Sequence, residues 1–195
     1  MPLLGVSSTL LVSLAYGIWL LSEIVGSLLV PAIRGGMAPA RRRSGGASGV
    51  VILAGLLASF VLLGLFRPLG WATLPVVYVD AGVLLMLTGI AIRQWSIAVL
   101  GRFFSTSLRI VDHHELVEAG PYRWVRHPSY TGIVVSMVGA GLASGAWEAV
   151  PLVLVVAALI FGYRIRSEER LLLDELAPAY AAYRERTWRL VPYLI

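Results

Sequence analysis

Gly120-Pro-Tyr-Arg-Trp-Val-Arg-His-Pro-Ser-Tyr-Thr-Gly132 is a polar, cation-bearing segment that lies between strongly apolar runs of the chain. Arginine, histidine and tyrosine side chains at this density are unusual in a plain connector of a hydrophobic protein, because each needs water or a polar partner. The segment is therefore the first place to look for chemistry, and it separates the apolar runs that determine the fold.

The composition indicates an integral membrane protein. Hydrophobic residues make up 58% of the 195 residues and the mean hydropathy is +0.81, which is more apolar surface than one soluble core would bury. The net charge of +5 does not indicate nucleic-acid binding, because the arginines lie at the ends of apolar segments and form no single stripe. The lack of cysteine excludes disulfides, iron–sulfur clusters, thiolate zinc sites and cysteine nucleophiles.

Five apolar runs predict the architecture, and they cover residues 3–30, 50–66, 74–100, 133–146 and 150–163. We expect an all-α polytopic membrane protein with about five transmembrane helices, of which the last two form a helical hairpin. Residues 1–100 would hold the first three helices and a flexible, Arg-rich cytoplasmic loop at 31–49. Residues 164–195 are charged and amphipathic, which predicts a cytoplasmic helical tail with one helix at the interface before Pro178 and a second segment ending at Pro192.

The basic residues predict the orientation. In the five-helix arrangement all of the 16 basic residues except Arg67 fall on one side, which the positive-inside rule assigns to the cytoplasm. The amino terminus would then lie outside and the carboxyl terminus in the cytoplasm, so segment 120–132 and the charged tail share the cytoplasmic face. Every basic residue is Arg and none is Lys, which suggests a GC-rich bacterial genome and hence a bacterial inner membrane.

His127 and Pro128 predict a polar loop that caps a membrane helix. Proline disfavours the helical region for the residue before it and suits the first turn of a helix. The free N–H groups and the positive end of the helix dipole would attract a carboxylate or phosphate. The residues fit another interpretation at least equally well, in which Arg126 and His127 anchor the loop to lipid headgroups and the neighbouring tyrosines and Trp124 form an interfacial aromatic belt.

Arg164 and Glu168 are four residues apart and so share one helix face, with Glu169 on the adjacent one. They form either an ordinary interfacial ion pair or, because segment 120–132 lies on the same side of the membrane, part of a site.

Two further groups of ionisable residues are weaker candidates. Glu23 lies within the first apolar run and is a default functional candidate, although it is close enough to the cytoplasmic end to reach water. His113-His114-Glu115 does not predict a metal site, because adjacent histidines point in different directions and no third ligand is evident.

Several short motifs follow one another in the second half of the chain. They are His114-Glu-Leu-Val117, Gly120-Pro-Tyr122, Arg126-His-Pro-Ser-Tyr-Thr-Gly132, Arg164 with Glu168-Glu169, Tyr180-Ala-Ala-Tyr183 and Leu190-Val-Pro192. In this order they resemble the isoprenylcysteine carboxyl methyltransferase family of integral membrane methyltransferases. The resemblance covers roughly residues 95–195, and it implies that residues 101–195 form the methyltransferase catalytic region.

The resemblance implies S-adenosylmethionine bound at the cytoplasmic face and a lipophilic acceptor that approaches from the bilayer. Arg164 and Glu168 would be the catalytic residues, with Arg164 facing the acceptor and Glu168 completing the cofactor pocket. The other residues that it implies for the cofactor are His114, Glu115, Leu116, Val117, Tyr122, His127, Pro128, Ser129, Tyr130 and Glu169. Methyl transfer from a sulfonium disperses positive charge, so a water-excluded pocket with in-line positioning contributes more than a strong acid or base.

The acceptor remains open at this stage. A carboxylate needs no deprotonation and could be oriented by Arg164, whereas a hydroxyl or amine would need a base that the sequence does not identify. The alternatives are a phospholipid or small-molecule N-, O- or S-methyltransferase of the same fold, more distantly an NADPH-dependent enzyme similar to sterol reductases, and a non-catalytic membrane protein. The oligomeric state is open as well, because small-residue helix faces pack within or between chains.

Overall fold

The computed structural model describes residues 8–26, 40–43, 75–104, 109–111, 115–145, 148 and 150–193. Helices dominate these ranges. They are α1 (Ser8–Ile24), α2 (Val76–Leu100), α3 (Pro128–Ala143), α4 (Val150–Leu176) and α5 (Ala179–Glu185), with short 3-10 turns at Gly101–Phe103 and Gly120–Arg123. The helical class predicted from the sequence is therefore confirmed, with one small exception.

The exception is a two-stranded antiparallel ribbon. Strand β1 (Ala40–Arg43) pairs with β2 (Arg109–Val111), so that Arg42 lies opposite Ile110 and Arg43 opposite Arg109. The sequence predicted a flexible loop over 31–49, and for 40–43 that prediction is wrong. Strands this short have no readable period, and β1 finds its partner in a distant part of the chain.

Within the described residues, two segments are long and apolar enough to cross a membrane. They are Val77–Phe103 and Val150–Leu176, each of 27 residues, with mean hydropathies of 1.8 and 1.7. Leu10–Ile24 and Pro128–Ala143 are shorter apolar helices. The predicted second run, 50–66, lies outside the described residues, so the count of five spans stays a prediction.

Helices α2 and α3 pack backbone against backbone, because glycines replace side chains at their contact. A Cβ atom added to Gly132 would lie 2.7 Å from the backbone nitrogen of Arg93 and 2.7 Å from the carbonyl oxygen of Gly89. Gly82 and Gly139 meet the facing helix in the same way, seven residues before Gly89 in α2 and seven residues after Gly132 in α3. Small residues at such spacing are the usual means of close helix approach in membranes.

Helices α3 and α4 form an antiparallel hairpin around an apolar core. Tyr130 near the start of α3 stacks on Phe161 near the middle of α4, with ring centroids 5.2 Å apart. Trp19 of α1 and Met86 of α2 are fully buried in the same core. The two helices predicted as a hairpin thus pack on each other, and the crossing of the membrane by both stays a prediction.

Helix α4 is longer than the sequence predicted. We expected a span to end near residue 163 and a separate amphipathic helix to follow, but the chain remains one helix as far as Leu176. The only proline in this stretch, Pro151, lies in the first turn, and residues 164–176 are mostly strong helix formers. The change from apolar to charged residues marked a change of environment and not the end of a helix. As a result Arg164, Glu168 and Glu169 lie on a rigid continuation of the hairpin.

Candidate functional site

The loop before α3 is held in place by the carboxyl-terminal segment. Val125 and Trp188 form a parallel bridge, in which Trp188 N donates to Trp124 O (3.0 Å) and Arg126 N donates to Trp188 O (2.8 Å). His127 N donates to Arg189 O at 3.1 Å. Pro128 is the first residue of α3 and His127 before it is non-helical, as predicted. The loop is therefore an ordered part of the fold.

Glu169 is the centre of an ion cluster, which we call the Glu169 cluster and which comprises Arg126, His127, Glu169 and Arg189. Its Oε1 accepts from Arg126 Nε at 3.0 Å and its Oε2 from Arg189 Nη2 at 3.1 Å. His127 Nε2 lies 3.4 Å from Oε1, although without hydrogen-bond alignment. Arg126 Nη1 also donates to the carbonyl oxygens of Arg184 and Thr187. Because both carboxylate oxygens have cationic partners, the cluster ties α4 to the loop and to the carboxyl-terminal segment.

Tyr130 connects two charged residues of α4, in an arrangement that we call the Tyr130 relay. Arg164 Nε donates to the Tyr130 hydroxyl at 2.8 Å, and that hydroxyl donates to Glu168 Oε2, also at 2.8 Å. The Tyr130 ring is stacked between His127 and Phe161. The sequence was compatible with a direct ion pair between Arg164 and Glu168. In the structure the Tyr130 hydroxyl lies between the two side chains.

Arg164 is the most unusual residue of the relay. Only 4% of it is exposed, and its Nη1 is buried without a hydrogen-bond partner among the described residues. A buried guanidinium with an unused donor is costly unless an anion or another acceptor completes it. The relay therefore has the electrostatic character of a binding site for an acidic or strongly polar group.

A second buried cation joins the site from the opposite side. Arg93 of α2 donates to both carboxylate oxygens of Glu23, at 2.5 and 2.7 Å, and its Nη1 donates to Ser129 Oγ at 2.7 Å. The sequence predicted only that Glu23 lies close enough to the cytoplasmic end of the first apolar run to reach water. The structure pairs Glu23 with Arg93 and connects the pair to the first turn of α3.

The aromatic residues of the loop differ in their environments. Tyr122 and Tyr130 are buried, whereas Trp124 is 49% exposed. An interfacial belt would leave the rings accessible to lipid, so this interpretation fits Trp124 and does not fit the tyrosines. The carbonyl oxygen of Tyr122 accepts a 2.6 Å hydrogen bond from the hydroxyl of Tyr183 in α5.

Three tyrosines around the loop remain protonated donors at neutral pH. Burial raises the pKa of Tyr122 and of Tyr183 above the ordinary value for a phenol. Burial, and then the negative charges of Glu169 and Glu168, raise the pKa of Tyr180 as well. The Tyr180 hydroxyl is buried and has no hydrogen-bond partner in the described part of the chain.

The motif at 114–117 is described only in part. His114 lies outside the described residues, Glu115 is exposed, and Leu116 and Val117 are half-buried just before the turn Gly120–Arg123. Within the described ranges, no group of three or more His, Asp or Glu side chains is positioned to hold a metal ion.

Residues 82–174 match the model of the isoprenylcysteine carboxyl methyltransferase (ICMT) family. Over these residues, which are just under half of the chain, the chain is similar to the ICMT family. The family region contains the Tyr130 relay, Arg93, Ser129, and all of the Glu169 cluster except Arg189.

The ICMT relatives of this chain include plant and bacterial proteins. The chain is 32% identical over 115 residues to protein-S-isoprenylcysteine O-methyltransferase A of Arabidopsis thaliana, which is 58% of each protein. It is 30% identical over 83 residues to the uncharacterized protein YpbQ of Bacillus subtilis, which is 43% of this chain and 49% of that protein. The chain therefore spans about half the length of these relatives.

The ICMT fold is also evident from a solved structure. That structure, described as the eukaryotic intramembrane Ras methyltransferase ICMT, matches with a TM-score of 0.58 at 23% identity, over 74% of this chain and 51% of the other. This likeness shows the fold. The family fold and the apolar helices together identify an integral membrane protein.

The sequence alone did not indicate the candidate-site residues of the carboxyl-terminal segment. Arg189 has no motif of its own beyond its position just before Leu190-Val-Pro192, and Thr187 has none. The one usable signal was the Tyr180-Ala-Ala-Tyr183 spacing, because Tyr180 and Tyr183 are both buried and their rings lie 5.9 Å apart.

Proposed function

We propose that this protein is a membrane-embedded, S-adenosylmethionine-dependent methyltransferase similar to the isoprenylcysteine carboxyl methyltransferases. It would transfer a methyl group to a carboxyl, or otherwise a hydroxyl, of a lipophilic acceptor at the cytoplasmic face. Support comes from the family region 82–174, from relatives named as protein-S-isoprenylcysteine O-methyltransferases, and from the buried polar relay between α3 and α4.

The observation that carries the proposal is the unused Nη1 donor of buried Arg164. Two of the relay's three members bear charge, and the Tyr130 hydroxyl already serves as both acceptor and donor. The free Nη1 donor of Arg164 is therefore the cationic group of the relay that is left for a ligand. A lipophilic carboxylate fits best, because it would neutralise the guanidinium and accept its hydrogen bond while its chain stays in an apolar environment.

The chemistry of the neighbouring residues fits S-adenosylmethionine. Glu168 uses only Oε2 in the relay, which leaves Oε1 for an ammonium group or a ribose diol. Half-buried Leu116 and Val117 offer apolar surface for an adenine ring, and the Glu169 cluster carries more positive than negative charge, which favours a carboxylate near His127. The proposed cofactor residues are those of the resemblance, with Glu169 holding the loop and Glu168 contacting the cofactor.

The cofactor, when bound, supplies an electrophilic methyl group on a sulfonium sulfur. The protein's own residues would orient the acceptor and exclude water. Arg164 would hold the acceptor carboxylate, so that one oxygen faces the methyl group and forms the new O–C bond, while the electron pair of the broken S–C bond stays on sulfur. Tyr130 would fix the Arg164 guanidinium through their 2.8 Å hydrogen bond. No proton needs to be removed from a carboxylate, so this acceptor requires no general base.

Calorimetric titration of the detergent-purified protein with S-adenosylhomocysteine tests the cofactor. We expect micromolar binding that is lost in Glu168→Ala and His127→Ala and retained in Arg166→Ala, which removes an exposed charge from the same helix. Tight binding of NADPH without binding of the thioether would instead indicate a reductase. Binding of neither would favour a non-catalytic membrane protein.

Methyl transfer to two probes tests the acceptor class. We expect a prenylated cysteine carboxylate to accept the methyl group, and Arg164→Gln to reduce this activity at least tenfold while thioether binding is retained. A long-chain phenol, or a phospholipid amine, that is methylated equally well by the wild type and by Arg164→Gln would contradict the carboxylate proposal and favour the small-molecule or phospholipid alternative.

We also propose a bacterial inner-membrane location with five spans, the amino terminus outside and the carboxyl terminus in the cytoplasm. The basic residues support this orientation through the positive-inside rule. Because the chain has no cysteine, single cysteines at Ser44 and Ser144 provide a direct test. A membrane-impermeant thiol reagent should label the two positions from opposite sides, and labelling of both from one side would contradict the five-span arrangement.

A further inference from the structure

Arg93 makes an unusual set of buried contacts between three helices. Its guanidinium forms a bidentate ion pair with Glu23 of α1 and a hydrogen bond with Ser129 in the first turn of α3. The Arg93 side chain is 5% exposed and that of Glu23 is 15% exposed. A pair of this geometry is strong and directional, because both carboxylate oxygens hold the guanidinium in one plane.

The hydrogen bond from Arg93 Nη1 to Ser129 Oγ determines which other hydrogen bonds the Ser129 hydroxyl is able to form. A serine hydroxyl has one donor hydrogen and two acceptor lone pairs. The Arg93 guanidinium donates to one of these lone pairs, and the hydroxyl hydrogen makes no hydrogen bond to a described residue. Ser129 lies between His127 and Tyr130 in sequence, beside the Tyr130 relay. Its hydrogen is therefore available to an acceptor within the site, and donation from Arg93 strengthens it through cooperative polarisation.

The alternative is that the pair only docks α1 on α2. The structure contains a second polar tie that serves this purpose without touching Ser129, because Gln94 Nε2 donates to the carbonyl oxygen of Ser22 at 3.0 Å. Loss of either interaction would weaken the docking of α1 on α2. Of the two, only the interaction of Arg93 includes a residue of the site, Ser129. Gln94 is therefore the matched control for the docking role.

We propose that Arg93, held by Glu23, is a positioning residue that orients the Ser129 hydroxyl as a hydrogen-bond donor to the bound cofactor. This inference rests on the proposed function. Helix α1 would then contribute to the site through Glu23, although Glu23 lies outside the family region 82–174. Glu23 then has a role in the site, but it acts through Arg93 and does not itself contact the cofactor.

A double-mutant cycle on S-adenosylhomocysteine affinity tests the inference. We expect Ser129→Ala to weaken binding about tenfold and Glu23→Gln to weaken it about threefold to tenfold. The double variant Glu23→Gln/Ser129→Ala should bind no more weakly than Ser129→Ala alone, because both changes remove the same donor. Fully additive losses would overturn the inference. Gln94→Ala should change the dissociation constant less than twofold, and a loss equal to that of Glu23→Gln would assign the pair to docking alone.

The charge exchange Glu23→Arg/Arg93→Glu separates folding from positioning. It retains an ion pair between α1 and α2 but removes the guanidinium that donates to Ser129. We expect its unfolding temperature to exceed that of Arg93→Glu alone while thioether binding stays as weak as in Ser129→Ala. Recovery of binding together with stability would overturn the inference. If the wild type binds no thioether at all, the proposed function fails, whereas unchanged binding by Ser129→Ala beside a binding wild type contradicts only this inference.

Discussion

Replacement of Glu169 by glutamine should destabilise the protein more than any loss of an exposed ion pair. The Glu169 side chain is 6% exposed and that of Arg126 is 9% exposed, so Glu169→Gln leaves a buried guanidinium without its counter-charge. Removing one partner of a buried pair costs about 3 to 5 kcal/mol. The glutamine oxygen still accepts one hydrogen bond, and Arg189 is 34% exposed and able to turn to water, so the lower end applies. We expect a loss of about 3 kcal/mol.

The matched control is Glu118→Gln. Glu118 pairs with Arg186 at 2.5 Å, a shorter distance than either arginine contact of Glu169, but the two side chains are 40% and 59% exposed. An exposed pair contributes less than about 1 kcal/mol, since water and salt screen it. If distance decided the energy, Glu118→Gln would be the more damaging change. Because burial determines the energy of an ion pair, we expect Glu169→Gln to be more destabilising than Glu118→Gln.

Thermal unfolding in detergent, followed by tryptophan fluorescence, measures both variants. For a chain of this length 3 kcal/mol corresponds to a fall of about 6 to 12 °C in the unfolding temperature for Glu169→Gln, and the control should fall by about 3 °C or less. Equal shifts, or a larger shift in Glu118→Gln, would refute the view that the Glu169 cluster holds the carboxyl-terminal segment on the loop.

Three further outcomes follow from contacts of single residues. Gly139→Ala should lower the unfolding temperature markedly, because its new Cβ would meet the backbone of α2. A Cβ at Gly162 would have no heavy atom within 4 Å, so Gly162→Ala should stabilise α4 slightly. Tyr130→Phe should retain the fold by circular dichroism but reduce methyl transfer at least tenfold, since the hydroxyl that fixes the guanidinium is lost, and full activity would contradict its role. Tyr183→Phe leaves the buried Tyr122 carbonyl without its donor and should cost about 1 to 2 kcal/mol in chemical unfolding.

Much of the fold follows from local patterns. Apolar runs at 74–100 and 150–163 predicted α2 and the first half of α4, and the His127-Pro128 pair predicted the start of α3. These features depend on neighbouring residues, since proline geometry and hydrophobic periodicity act over a few positions. The end of α4 was misjudged because polarity was taken as a boundary, although the helix propensity of 164–176 continues without a break.

The candidate site was predictable as a set of residues but not as a set of contacts. The distribution of basic residues predicted that segment 120–132 lies on the same face as Arg164 and Glu168, and the structure joins these residues through Tyr130. Their fixed spacing on one helix turn made Arg164 and Glu168 neighbours in any fold that keeps this helix. Nothing in that spacing indicated that a tyrosine of another helix would lie between them.

The sequence by itself determined the class of the protein: its composition required a membrane environment, and its motif order identified the family. Only the tertiary structure decided which charges meet. Glu169 could have paired within its own helix, yet it pairs with Arg126 and Arg189, and Glu23 found Arg93 on another helix. The physical reason is that a buried charge must be paired wherever the packing of helices provides a partner. In the described residues that packing includes close glycine contacts between α2 and α3.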